Sequence, residues 1–392
     1  MSRWSALAYV VSNNLPAEVL AVWTADEPAC FKGNRLSNLV RLLALDTARP
    51  AHRLEQGEVA AAASVLFSDR DKDFARLARV FDTSGVRSRW STQPIAWFTE
   101  PHGWADRNAA YVEGARDLFV VAARKALAAA DVPARDIHTV VTVSSTGVAT
   151  PSLDAHAFAS LGLSPTVRRV PIFGLGCAGG AAGLGIASSL AAAHPGKHVL
   201  VVVVEVCTLA FRLDKLTKAN VVATALFGDG AAACILRADT ADPDPRAAGL
   251  AIVEGSGDHL WADTLDIMGW GVDQHGLDVV FSRSIPRFAE TKVGPAVAVI
   301  LASMGLSPSD IDRFVCHPGG AKVITALERA LDLTDGSLDH ERAVLAEHGN
   351  MSAPTVLFVL KRVLEAGLPS RALLCAMGPG FSLNCVSLRR PS

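Results

Sequence analysis

Cys177 stands inside GLGCAGG, residues 174 to 180. A sulfur in a glycine turn can serve as a nucleophile when the turn leads from a strand into a helix. Unpaired backbone N–H groups and the positive end of the helix dipole then favour the thiolate. Flanking glycines allow a tight turn and let a bulky substrate approach. The letters Gly174 to Gly179 also satisfy G-x-G-x-x-G, the loop that cradles a dinucleotide pyrophosphate. Glu205 lies 26 residues beyond Gly179, where a Rossmann unit places its acidic ribose contact. The third use of such a cysteine is structural, as a small buried apolar residue. The loop alone leaves all three open.

Other turns add weight to the nucleophile. VCHPGG (315–320) puts His317 just after an apolar stretch and before a Pro-Gly-Gly turn, a place from which it can face a cleft. EHGNMSAPTVLFVLKRVL (347–364) predicts a helix opening at or near Asn350, where capping is the simple use of an asparagine. ALFGDGAAACIL (225–236) and AMGPGFS (376–382) are further glycine turns beside apolar strands. Together these turns favour the nucleophile reading of Cys177.

These turns must be held by the elements around them. HTVVTVSS (138–145) and HVLVVVVEV (198–206) read as buried strands, the second apolar throughout, as expected when both faces are covered. Residues 107–130 read as a helix. Such alternation predicts an α/β layered fold. The turn-rich segment 238–249 is the best internal boundary. Across it lies a weak repeat: ALAAADVPARDIHTVVTVSSTG (126–147) parallels ILASMGLSPSDIDRFVCHPGG (300–320). Asp136 precedes Cys177 by 41 positions, and Asp310 precedes Asn350 by 40. A duplicated fold would bring these two equivalent points together at its centre.

Composition excludes several classes. Half of the 392 residues are hydrophobic, 19% are charged and the formal net charge is -2, so neither nucleic acid nor an anionic membrane is an expected partner. The seven cysteines form no C-x-x-C pair and no zinc-finger spacing, so neither a metal site nor a disulfide framework is expected. A cytoplasmic location is the expectation. Residues 171–193 carry no charge but contain six glycines and Pro171, which fits a buried strand, turn and helix better than a membrane span. Gly179 and Gly183 are then close-packing positions. The N-terminal apolar run is interrupted by Asn13, Asn14 and Glu18 and is a poor secretory signal.

Together the motifs resemble the type III polyketide synthases, the chalcone synthase-like branch of the thiolase superfamily. The likeness runs from about residue 38 to the end. It rests on GCAGG around Cys177, FGDGAAA at 227–233, CHPGG around His317, GNMS at 349–352 and GPG at 378–380, in that order. The Cys–His spacing of 140 and the His–Asn spacing of 33 fit as well. The resemblance implies a five-layer αβαβα thiolase-like fold of two duplicated halves, 38–240 and 248–392, behind an extension of unknown structure, 1–37. It implies a homodimer acting on acyl-CoA and malonyl-CoA with no cofactor beyond these CoA thioesters. Catalysis would fall to Cys177 as thiolate, His317 as its partner, and Asn350. Phe227 would gate the cavity, with Val279 at a second gate. Thr150 would reach toward the partner subunit. Arg76 and Arg79 would meet CoA phosphates. Gly319, Ser352, Gly378, Pro379 and Gly380 would border the substrate. The segments 100–108 and 263–286 resemble bacterial members that extend long-chain fatty acyl-CoA into alkylpyrones or alkylresorcinols. The alternatives are a single-round β-ketoacyl synthase of the same superfamily, a nicotinamide-dependent oxidoreductase and a catalytically silent homologue.

Overall fold

The computed structural model describes residues 38–67, 74–215, 217–241 and 249–391. The N-terminal extension and most of the internal boundary segment lie outside these residues. The strands, in chain order, are β1 (Val40–Ala48), β2 (His52–Glu55), β3 (Ser88–Ser91), β4 (Ile137–Val143), β5 (Arg168–Ile172), β6 (His198–Val206), β7 (Asp229–Ala238), β8 (Ala251–Leu260), β9 (Met268–Asp273), β10 (Gly276–Phe281), β11 (Arg313–Cys316), β12 (Arg371–Gly378) and β13 (Ser382–Arg389). Nine of them form one mixed sheet in the order β11-β12-β13-β8-β1-β7-β6-β4-β5. β9 with β10, and β2 with β3, make two small hairpin-like pairs.

The nine-stranded sheet is two halves joined narrowly. β1 meets β8 through only three residue pairs, Val40–Leu42 against Ala251–Val253. Two helices, Gly179–Ala193 and Thr355–Ala366, lie between the halves. One core cluster joins Leu184 and Ala187 of the first helix, Val356 and Leu360 of the second, and strand residues from both halves, Val201 and Leu374 among them. The Trp104–Ala129 helix covers the outer face of the first half, where Phe119 packs with Leu200 and Val202. The Ile285–Ser303 and Ala321–Ala330 helices cover the outer face of the second half. The layers are therefore α, β, α, β, α. This placement explains the unbroken hydrophobicity of β6: Val199, Val201 and Val203 face the central helices, while Leu200, Val202 and Val204 face the outer one.

The duplication expected from the sequence is visible. In the first half a long helix ends at Ala129, a 3-10 turn spans Ala134–Asp136, and β4 follows. In the second a long helix ends at Ser303, a 3-10 turn spans Pro308–Asp310, and β11 follows. The uncharged run is a helix of the core: Gly176–Ala193 is apolar and long enough to cross a membrane, but 67% of it is buried in the protein. Gly179 and Gly183 press on β4, since a Cβ on either would come within 2.8 Å of Val143.

Candidate active site

The chain leaves β5 at Ile172, makes a 3-10 turn over Gly176–Ala178, and enters the central helix at Gly179. Cys177 thus occupies the strand-to-helix turn expected of it, and it is buried. Gly176 has φ +46° and a Cβ there would meet Pro379 at 2.7 Å, so only glycine fits. The contact shows what closes the turn: Gly378-Pro379-Gly380, between β12 and β13, lies directly against it. Gly378 is pressed on Ala178 in the same way.

Asn350 comes to this point from the second half. Its backbone N–H donates to Leu226 O at 2.7 Å, and its carbonyl accepts from Gly228 N at 3.1 Å. Phe227 and Asn350 therefore form a parallel bridge. The side-chain oxygen accepts the Ser352 N–H at 2.8 Å. The amide nitrogen donates to Gly319 O at 3.3 Å. These two bonds fix which end of the amide is the donor. Ser352 has φ +58°, unusual for a side-chain-bearing residue. Cys177 Sγ lies 3.5 Å from its hydroxyl. The helix predicted to open near Asn350 begins instead at Thr355, behind Pro354. Asn350 is not its cap; the turn at Ser352 keeps residues 350–354 out of the helix.

His317 follows β11, and its backbone N–H is held by Cys375 O at 2.9 Å. Its imidazole is buried and neither ring nitrogen has a hydrogen-bond partner. An unpaired buried ring is costly unless something else uses it. His317 is brought to Asn350 through Gly319, but no hydrogen bond joins it to Cys177.

Cys177 opens on a cavity walled by Gly176, Cys207, Phe227, Met268, Trp270, Val279, Phe281, Ser352 and Pro379, among others. Phe227 and Val279 both line this cavity. Val279 sits on the β9–β10 pair directly across from Trp270. Trp270 meets Phe227 edge-on at 6.3 Å. Phe227 and Cys207 also belong to a second, mostly apolar cavity, whose walls include Leu54, Leu66, Phe98 and Phe211, with Arg89 among them. Thr150 is elsewhere, in a surface depression with Tyr111, Ser152 and the exposed Phe173. Arg76 and Arg79 are exposed on two short helices and line neither cavity beside Cys177.

Sequence reasoning missed Cys207, Trp270 and Arg89. The signal for Trp270 was available: it lies in the same hairpin as Val279, and cross-strand partners share a face. Cys207 and Arg89 carry no local pattern.

Burial governs the charges. It pushes the Cys177 thiol up to about 11, although the Ser352 hydroxyl and the Asn350 amide pull the other way. It pushes His317 down to about 3. Desolvation thus opposes the helix terminus and favours a neutral thiol and a neutral imidazole over the expected thiolate paired with His317.

Glu205 is fully buried. One carboxylate oxygen accepts from Ser145 N at 2.9 Å and Thr146 Oγ1 at 2.8 Å. It faces no open groove, so the dinucleotide reading of the glycine loop loses its ribose contact. Burial raises Glu205 from 4.5 to about 7. A carboxyl raised in the folded state stabilises most below its unfolded pKa, and that contribution is lost as pH rises through the folded one. Glu205→Gln keeps an acceptor and cannot ionise. Between pH 4.5 and 7 the wild type is expected to lose about 3 kcal/mol that the variant does not lose, measured by urea unfolding. Asp229 and Glu341 shift in the same direction, but both proteins share them. Identical pH dependence in the two proteins would show that Glu205 titrates normally.

The chain is similar to known proteins in sequence and in fold. The chalcone and stilbene synthase N-terminal domain family matches residues 31–240, and the C-terminal domain family matches residues 258–390. The chain is similar to 1,3,6,8-tetrahydroxynaphthalene synthase of Streptomyces peucetius subsp. caesius, 40% identical over 349 residues, covering 88% of this chain and 92% of the relative. It is similar to the alpha-pyrone synthesis polyketide synthase-like Pks18 of Mycobacterium tuberculosis, 31% identical over 351 residues, covering 87% and 88%. Among solved structures, 1,3,6,8-tetrahydroxynaphthalene synthase of Streptomyces coelicolor A3(2), a bacterial type III polyketide synthase, superposes with a TM-score of 0.83 at 28% identity, covering 90% of this chain and 99% of that one. The chain belongs to the chalcone and stilbene synthase family. It is a type III polyketide synthase, an acyltransferase of the Claisen-condensing kind with the thiolase-like fold.

Proposed function

We propose that this enzyme condenses malonyl-CoA units onto a long-chain fatty acyl-CoA starter held on Cys177, and releases alkylpyrones or alkylresorcinols. The observation that carries the choice of starter is the apolar cavity that shares Cys207 and Phe227 with the Cys177 chamber. A chain attached at Cys177 can pass between these residues and bury its methylenes, each worth about 0.8 kcal/mol. The α-pyrone relative supports the same product class.

The steps follow from the neutral pair. Cys177 Sγ attacks the starter thioester while its proton passes by way of His317 to the departing CoA sulfur. His317 is left neutral, with an N–H to give. Malonyl-CoA then loses CO2, and the enolate oxygen takes hydrogen bonds from His317 and the Asn350 amide. The enolate carbon attacks the Cys177 thioester, a carbon–carbon bond forms, and the thiolate leaves. The product is a β-ketoacyl-CoA two carbons longer, which returns to Cys177. This chemistry calls on CoA thioesters and on no metal or redox cofactor.

Arg76 and Arg79 remain our candidates for the CoA phosphates. We propose further that it acts in the cytoplasm as a homodimer; the edge strand β5, with Arg168, Arg169 and Pro171 exposed beside the depression that holds Thr150, supports the dimer.

The starter assignment is tested at Cys207. Cys207→Phe fills the passage between the cavities. For long acyl-CoA starters kcat/KM is expected to fall by roughly 10²-fold, while short starters stay within a few fold. Equal effects on both would overturn the assignment. The tetrahydroxynaphthalene synthase relatives define the other reading, and a product built from malonyl-CoA alone would favour it.

A further inference from the structure

Arg89, on β3, is 2% exposed and carries a guanidinium into the protein interior. Burial alone lowers it, to about 9, and no carboxylate among the described residues compensates it. Its partners are backbone carbonyls. Nη1 donates to Thr224 O and, at 3.3 Å, to Phe227 O. Nη2 donates to Ala225 O at 3.0 Å. These oxygens belong to the last turn and C-cap of the Lys218–Leu226 helix, its negative end, and a buried cation is at home there.

The helix end has a second duty. Leu226 O accepts the Asn350 N–H, and Gly228 N donates to Asn350 O. The segment gripped by Arg89 is therefore the segment that carries Phe227 and registers Asn350. The stem of Arg89 fixes the other side as well. A Cβ on Gly228 or Gly349, which flank the bridge, would stand within 3.4 Å of Arg89 Cβ. One side chain thus touches both strands of the Phe227–Asn350 bridge.

We propose that Arg89 is a positioning residue for decarboxylation: by holding the carbonyls of residues 224, 225 and 227 it sets the Asn350 amide at the distance the enolate needs. The proposal rests on the role given to Asn350 above. Arg89 does not touch the Cys177 thiol but does border the apolar cavity, so loading of a short starter, which does not reach that cavity, should not depend on it.

The test separates two half-reactions. Malonyl-CoA decarboxylation is followed by acetyl-CoA formation, and Cys177 loading by intact-protein mass after mixing with a short-chain acyl-CoA. Wild type, Arg89→Met, Arg89→Lys and Asn350→Ala are compared. Arg89→Met should lower kcat for decarboxylation by roughly 10²-fold with KM changed little, as a misplaced group does. Loading of Cys177 should stay near wild type. Arg89→Lys, which keeps the charge and still reaches a carbonyl, should recover part of the rate. If Arg89→Met does not fold, Arg89→Lys carries the test alone, with decarboxylation reduced and loading intact at an unchanged Tm. Decarboxylation and loading falling in parallel, or neither falling, would overturn the proposal. A wild type and Asn350→Ala that decarboxylate equally would overturn the role of Asn350, and that of Arg89 with it.

Discussion

Replacing Cys177 with alanine is expected to remove condensation by about 10⁴-fold or more, the scale seen when a sole nucleophile is deleted. The variant should gain no acyl mass from any starter. It should still decarboxylate malonyl-CoA, because the donors to the enolate are on His317 and Asn350. Asn350 is fixed by Ser352 N, Gly319 O and the bridge to Phe227. The fold should survive, since the change removes one atom and leaves the hydrogen bond between Ser352 and Asn350 in place. Chromatography with mass spectrometry reads the condensation product, and acetyl-CoA formation reads decarboxylation. Condensation within tenfold of wild type would mean that the chain is not carried on Cys177.

His317→Ala should act on the other half-reaction. Deleting one preorganised oxyanion donor costs about 10²–10³ in rate. The variant should decarboxylate that much more slowly, and should also load more slowly because the proton shuttle is gone. Its stability is a clean control. Neither ring nitrogen makes a hydrogen bond, so alanine leaves no partner stranded. The pH profile adds a sign. Burial holds His317 at about 3, below the ordinary 6.5. The stability it contributes is present above 6.5 and is lost as pH falls toward 3. His317→Ala should therefore lose less stability than wild type on acidification. The decarboxylation rate of wild type should show no limb near 6.5, since the donor stays neutral through that range. A limb at 6.5 that vanishes in the variant would mean that His317 acts in its charged form.

What could be read from the sequence was what is local. The strand, glycine turn and Ala-rich helix around Cys177 are contiguous, and each carries its own composition. The repeat was visible because both halves use the same helix, 3-10 turn and strand, so equal spacings survived divergence. The Asn350 helix start was misplaced by five residues, because Pro354 and the Ser352 turn set the boundary and a helical pattern does not show where it begins. Arg89 was invisible for a different reason. Its partners are carbonyls 135 to 138 positions away, and carbonyls carry no side-chain signature. The apolar cavity gathers Leu54, Phe98, Phe211 and Phe227 from separate elements, so no window of sequence contains it. The state of the thiol depended on burial, which outweighed a helix-terminus argument that was sound as far as it went.

The most direct test of the central claim is a product profile. Purified protein is given isotope-labelled malonyl-CoA with acyl-CoA starters from short to long, and products are identified by mass. The predicted result is alkylpyrone or alkylresorcinol masses that contain the starter chain and several labelled two-carbon units, with long starters preferred. Products that carry label but no starter chain, or no condensation product with any starter, would contradict it.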